Sequence, residues 1–426
     1  VGMGGAGMVY ASGVDAIEWN PANLALEGGW NISLGEVGAA ALLSGLTLDG
    51  LQSIIDDDGT ASQVVSDLPD SGLRLATVTE GFVTAEGASR ADVPSPGSPY
   101  PSVGLAFGSF GLRVRSRVMA DARLSKELTD LIVNDFDPAK IQDYRVGDTG
   151  MRAAAFSEIT GAYGVTLGTR MAIGVGVRYV KGHKLTEAKF FEPVLDLVNE
   201  TADVSAVSVE SSGGSGYGVD LGLALELVAG LRLSASAINV VQKMTWDDAL
   251  VAHEATFHGC DCPTSDFVDK PEDLLDRLRG PGTPIDPNSM SLPVYLTAAD
   301  LFPGAFFPTV FRAGLGWRAG GTSVELVGTS VSPQGRQHSQ WDERVSLGLE
   351  QRLWILTLRA GGAKGTDGIQ TISGGLGLGI GPVHLDVSAG VMSGGFDFAS
   401  ALVAQENVDY AGGHVTASLQ IKGGGR

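Results

Sequence analysis

Short and long connections alternate strictly along this chain, and the segments between them carry apolar side chains at every second position. In Pro382 to Val391, residues Val383, Leu385, Val387, Ala389 and Val391 share one face, while His384, Asp386, Ser388 and Gly390 share the other. The same holds for Val219, Leu221, Leu223, Leu225 and Leu227 against Asp220, Gly222, Ala224 and Glu226, and for Val415, Ala417, Leu419 and Ile421 against His414, Thr416, Ser418 and Gln420. Six very tight turns fall at Gly108 to Gly111, Leu167 to Arg170, Ala229 to Leu231, Arg318 to Gly321, Gln351 to Trp354 and Gly379 to Pro382. Long connections lie between them, roughly 45–100, 125–150, 188–213, 247–305, 333–342 and 396–409, with a short one near 365–369.

Period two alone does not separate a soluble sandwich from a membrane barrel. The connections do, because strands joined by tight turns at one end and long loops at the other are the pattern of an outer-membrane barrel. Six turns join twelve strands; a first strand from about Trp30 to Ser44 and a last from about Gly413 to Lys422 bring the number to fourteen. An even number returns the chain to its starting side and closes the sheet without an edge. The reading is therefore all-β: a membrane β-barrel of about 14 antiparallel strands over residues 29–426, with the long loops at about 45–100, 125–150, 188–213 and 247–305 outside the cell and a plug formed by residues 1–28. Tryptophan placement supports it, since indole rings collect at the headgroup level. Trp30, Trp317 and Trp354 sit next to expected periplasmic ends, and Trp246 and Trp341 next to expected extracellular ends.

Composition narrows the alternatives. With 61 glycines in 426 residues and no Gly-X-Y period, neither a collagen nor a long-helix protein fits. Twenty-nine Lys and Arg against 49 Asp and Glu give a net charge of -20, which repels phosphate backbones and argues against a nucleic-acid partner. No run approaches the length of a transmembrane helix, and Val1 to Met8 lack the charged start and apolar centre of a secretory signal, so a chain that begins after processing is expected. The expected surroundings are outer-membrane lipid.

Ahead of the first strand come Gly4-Gly5-Ala6-Gly7, Ala11 to Asp15 and Trp19-Asn20-Pro21-Ala22-Asn23-Leu24, too broken by glycine and proline to form a strand. Pro21 fixes its own φ and pushes Asn20 towards an extended conformation, which makes the pair a rigid turn. The Gly-Gly-Ala-Gly string followed about fifteen residues on by Asn-Pro-Ala, directly before strand one, resembles the FadL-type superfamily of outer-membrane transporters for long-chain fatty acids and other hydrophobic compounds. It also resembles Gly-rich relatives in that superfamily, among them barrels that serve as accessory subunits of type IX secretion. The resemblance implies a hatch of N-terminal residues inside the barrel, with Asn20, Pro21 and Ala22 at the plug or gate, and apolar substrates that bind in extracellular and luminal pockets before leaving through a side opening.

Several side-chain groups carry chemistry. Leu124, Leu128, Leu131, Ile132 and Phe136 recur at helical spacing after Ser125, Leu51, Ile54 and Ile55 form a shorter apolar face, and Glu272 to Leu278 ends at a glycine stop. These helical loop segments offer Leu128, Leu131, Ile132 and Phe136 as an apolar ligand surface, or as faces that cap the barrel or meet a partner. Arg113, Arg115, Arg117, Arg178, Arg232, Arg312 and Arg359 fall on lumen-facing positions, as do Asp220, Glu226, Glu325, Glu350 and Asp386. A charge facing lipid costs about 2 to 4 kcal/mol at the midplane, which sets these inward. Mixed signs suggest an ion-paired network, with an anion-conducting path as the alternative. His253, His258, Cys260 and Cys262 cluster, but match no zinc-finger spacing, so no metal is expected; free thiols, a Cys-x-Cys disulfide and pairing with another chain all stay open. Gly-x-Ser-x-Gly is absent, and Gly374-Gly375-Leu376-Gly377 lies inside a strand and not at a phosphate loop. No cofactor and no enzymatic activity are expected.

The leading expectation is passive uptake of a hydrophobic small molecule at the bacterial outer membrane. The competing one is a non-transporting barrel that docks protein partners of a cell-surface assembly through its extracellular loops, of which 45–100 and 247–305 are long for a simple channel.

Overall fold

A computed structural model describes residues 2–44, 73–80, 102–125, 149–190, 194–196, 201–248, 251–259, 283–284, 308–332, 342–366, 369–394 and 410–423. Fourteen antiparallel strands close into a barrel. In chain order they are β1 (Trp30–Ser44), β2 (Leu73–Glu80 and Ser102–Phe107), β3 (Phe110–Leu124), β4 (Gly150–Leu167), β5 (Met171–Phe190), β6 (Thr201–Ser211 and Gly213–Val228) and β7 (Leu231–Asp248 and Val251–Gly259). The second half comprises β8 (Val310–Ala319), β9 (Thr322–Val331), β10 (Asp342–Leu353), β11 (Leu356–Gly365), β12 (Ile369–Ile380), β13 (Val383–Gly394) and β14 (Tyr410–Gly423). Closure comes from β14 returning to β1, from Trp30 opposite Gly423 to Ser44 opposite Tyr410, with one irregularity between Ser33 and Gly35.

All six tight turns are present, each of two or three residues. Five contain a glycine with positive φ (Gly108, Gly168, Gly230, Gly320 and Gly381). The sixth puts Trp354 at φ 55, a conformation L-residues rarely adopt, and leaves its indole 96% exposed at the turn end of the barrel. Trp30 and Trp317 face outwards at the same end. Between the rims the outward row is apolar and open to its surroundings, as with Val177, Leu221, Leu347, Leu376 and Val391. An apolar exterior suits lipid and not water.

Three features differ from the sequence reading. Stretches 188–213 and 247–305 contain strand, because Thr201–Ser211 extends β6 and pairs with Val251–Gly259 of β7. Their residues mix Ser, Thr, Asp and Glu with valine and lack the lipid-facing apolar row by which the membrane strands were recognised. Stretch 45–100 likewise contains Leu73–Glu80, so β2 is built in two pieces: β1 pairs through Gly38 with Glu80 and through Glu36 with Ser102. Residues 81–101, which join the pieces, lie outside the described residues. Trp246 belongs to no interfacial belt; it points inwards, 2% exposed, because Gly182 opposite it leaves room for the ring.

Residues 2–27 run inside the barrel as a 3-10 turn (Gly13–Asp15) and two short helices, α1 (Ala16–Trp19) and α2 (Asn23–Glu27), joined by irregular chain. They touch the wall nearly all the way round. Gly2 lies on Gly375 of β12, Met3 and Gly4 on Gly361 and Gly362 of β11, Val9 on Gly314 and Gly316 of β8, Pro21 and Ala22 on Gly174 of β5, and Val14 on Gly104 of β2. Contact this close is possible because the wall positions lack side chains. A Cβ at Gly174 would collide with the Pro21 carbonyl carbon and the Ala22 nitrogen, and one at Gly361 with the Met3 carbonyl. Met8, Val9, Val14, Ile17 and Leu24 are buried against this wall in small apolar clusters.

Candidate functional site in the barrel lumen

Inward-facing charges form a layer across the lumen. Glu158 of β4 bridges two arginines: Arg115 Nε donates to one carboxylate oxygen, and Arg178 Nη1 donates to the other at 3.1 Å. Arg178 Nη2 continues to Asp220 of β6 at 3.1 Å, and Asp220 accepts the Asn239 backbone N–H at 2.8 Å. Arg113 Nη2 donates to Glu36 of β1 at 2.7 Å, and Glu18 of α1 lies against both Arg113 and Arg115. Lower down, Arg232 meets Glu226 at 3.3 Å, and Arg359 joins Glu350 at 2.8 Å and Asp386. Glu18, Glu158, Asp220 and Glu350 each have two such partners, Glu350 through Arg352 as well as Arg359, which offsets the cost of removing their charges from water. Burial by itself would raise the Glu18 carboxyl; Arg113, Arg115, Arg117 and Arg178 outweigh it and hold the group down at about 2.

Period two accounts for the strand members of this layer. Arg113, Arg115 and Arg117 occupy one face of β3, and Arg178, Asp220, Arg312, Glu325 and Glu350 occupy the matching faces of their strands. Glu325 carries a different load from the rest: it accepts the Val9 backbone N–H at 2.8 Å and so holds the N-terminal segment. Sequence reasoning missed Glu18, Glu36 and Glu158. Glu158 was legible in principle, since it alternates with Phe156 and Thr160 on an inward face.

Directly above the charges on the same wall lies an apolar patch. Ala154 and Phe156 of β4, Val180 and Leu185 of β5 and Trp246 of β7 are buried together, with Met119 of β3 and Met244 of β7 packed against them. Phe156 is one inward step from Glu158. The loop helices read from the sequence, with Leu128, Leu131, Ile132 and Phe136, lie outside the described residues, as do Cys260 and Cys262.

Asn20, Pro21 and Ala22 sit where the N-terminal segment meets β5 and β6. Asn20 is fully buried; its Nδ2 donates to the Leu223 carbonyl at 2.9 Å, and its Oδ1 accepts the Ala22 N–H at 3.1 Å. Asn23 Nδ2 donates to the Met8 carbonyl at 2.9 Å and ties the two halves of the segment together. At the turn end, the Tyr10 hydroxyl stands within 2.7 and 2.8 Å of the Gly230 and Gly316 carbonyls, with its ring between the guanidinium groups of Arg232 and Arg318. Beside the segment remains a cavity of about 470 Å³ lined mainly by charged and hydroxyl side chains. An apolar route straight down past the segment would have to cross this polar space.

The chain superimposes on the toluene transporter TbuX of Ralstonia pickettii with a TM-score of 0.53 at 12% identity, covering 99% of this chain and 96% of that one. The chain has the FadL-type barrel fold. A Pseudomonas aeruginosa FadL homologue matches with a TM-score of 0.52 at 12% identity over 98% and 95% of the two chains. The monoaromatic hydrocarbon channel CymD matches with a TM-score of 0.50 at 12% identity over 99% and 95%. No family model matches the chain, and no curated protein matches it by sequence.

Proposed function

We propose that this FadL-type barrel is a passive uptake channel of the bacterial outer membrane for a hydrophobic small molecule. The observation that carries the reading is the apolar inner-wall patch of Phe156, Val180, Leu185 and Trp246 set immediately above the layer of Arg115, Glu158 and Arg178. An apolar molecule entering from the loop side is stabilised on the patch by loss of water-exposed area, at about 25 cal/mol per Å². The charged layer then stops it, since displacing the ion pairs would leave buried charges unpartnered. Its exit is sideways. The two-piece β2 supports a place for this, because the neighbouring strand positions Val37 of β1 and Arg115 and Ser116 of β3 have no β2 partner among the described residues. In this mechanism the N-terminal segment, with Asn20 and Pro21 fixed to β5 and β6, is a stationary hatch that keeps the lower lumen closed to the apolar cargo. The neighbours with this fold that carry hydrocarbons lend support of the same kind.

Native mass spectrometry of protein extracted gently from its own membrane tests the proposal. A stoichiometric apolar adduct on the single chain, lost in Trp246→Arg, is the expected result. Stable co-purification with other polypeptides and no adduct would overturn it in favour of a docking barrel.

A further inference from the structure

Arg312 of β8 is placed differently from the other arginines of the lumen. Its guanidinium stacks on the Trp19 ring of α1 at 5.0 Å, and its Nη1 is buried with no hydrogen-bond acceptor among the described residues. No carboxylate among the described residues stands within ion-pair distance of it. Stacking satisfies the face of a guanidinium and leaves its N–H edge unmet, which is costly inside a protein. That edge borders the polar cavity, where nine cationic side chains outnumber seven carboxylates. Glu18 and Asp220 lie within electrostatic reach of Arg312, but so do Arg115 and Arg178, and those carboxylates are already engaged by these arginines and Arg113.

We propose that the cavity is a binding site for a small oxyanion, of the inorganic phosphate or sulfate class, held by the N–H edge of Arg312 over the Trp19 ring. The planar fork of a guanidinium matches two oxygens of such an anion, and a cavity of about 470 Å³ admits one with its water. The site is separate from the apolar patch and does not rest on the uptake reading: its ligand is polar, and its cavity is lined by the charged layer and by none of the patch residues.

Equilibrium dialysis of the detergent-solubilised full chain against radiolabelled inorganic phosphate, at constant ionic strength set with sodium chloride, tests the site. One saturable site per chain is expected, weakened about tenfold or more in Arg312→Gln and unchanged in Arg170→Gln, whose exposed side chain lies at the turn end of the barrel and outside the cavity. Absence of saturable binding by the wild-type chain up to about 50 mM phosphate overturns the proposal. Equal affinity in Arg312→Gln does so as well. Should that variant not fold, Trp19→Leu removes the stacking surface and leaves every wall charge in place; it is expected to weaken binding, and wild-type affinity in it would be equally fatal.

Discussion

Phe156 and Glu158 are successive inward residues of one strand, both almost fully buried, and between them the lumen changes from apolar to ionic. The change happens within a single inward step because neighbouring strands place like with like. Val180 lies above Arg178 on β5, and Met119 above Arg117 on β3. A molecule moving down the wall meets the transition abruptly.

Removing the Glu158 charge tests how much of the barrel depends on the layer. Glu158→Gln leaves Arg115 and Arg178 facing each other across a neutral amide and should cost about 3 to 5 kcal/mol. Arg352→Gln, at an exposed pair, should change stability by less than about 1 kcal/mol. Urea unfolding in detergent micelles, followed by loss of β-structure, measures both.

On the apolar side of the boundary, Trp246→Ala should cost about 3 to 5 kcal/mol through the cavity it opens among Phe156, Val180 and Leu185. Met119→Leu conserves volume and should cost less than about 1.5 kcal/mol. The same unfolding assay ranks the two, and near-equal costs would show that the patch is not packed.

Gly174→Ala introduces a methyl group where Pro21 and Ala22 pass. The segment must give way, with an expected cost of about 1 to 3 kcal/mol and faster cleavage of residues 2–27 by added protease. Gly161→Ala on the adjacent strand meets nothing within 4 Å and should be cleaved at the wild-type rate.

Acid should loosen the same segment through Glu18. Its carboxyl titrates near 2 in the folded protein against about 4.5 when released, so its stabilising contribution is complete above about pH 4.5 and lost as pH falls through about 2. The difference corresponds to about 3 kcal/mol at most. Pepsin, active across this window, should cut the segment increasingly between pH 4.5 and 2 in the wild type. Glu18→Gln should show no such pH step.

How much of this was legible in the sequence depends on what each feature answers to. The membrane strands announce themselves because lipid demands an apolar row, and β13 displays one without interruption from Val383 to Val391. The tight turns show through their glycines, and the inward charges through the cost of placing Arg113 or Arg178 in lipid. Thr201–Ser211 was missed because hydrogen bonding to Val251–Gly259 makes no such demand on composition. Trp246 was misplaced because an indole near a strand end reads as interfacial until Gly182, which faces its ring, is located across the sheet. The stacking of Arg312 on Trp19 joins residues almost 300 positions apart, and no local pattern encodes that.

The segment's contacts also say something about the order in which the molecule comes together. Gly4 donates to Ser373 at 2.6 Å across 369 positions, so this segment is bound by a strand that is made long after it. Such a contact cannot seed assembly, since ordering so long a loop is unfavourable before the intervening strands have paired. The segment must therefore wait, unplaced, until the wall is almost complete, and its seating marks the finished barrel from the unfinished one.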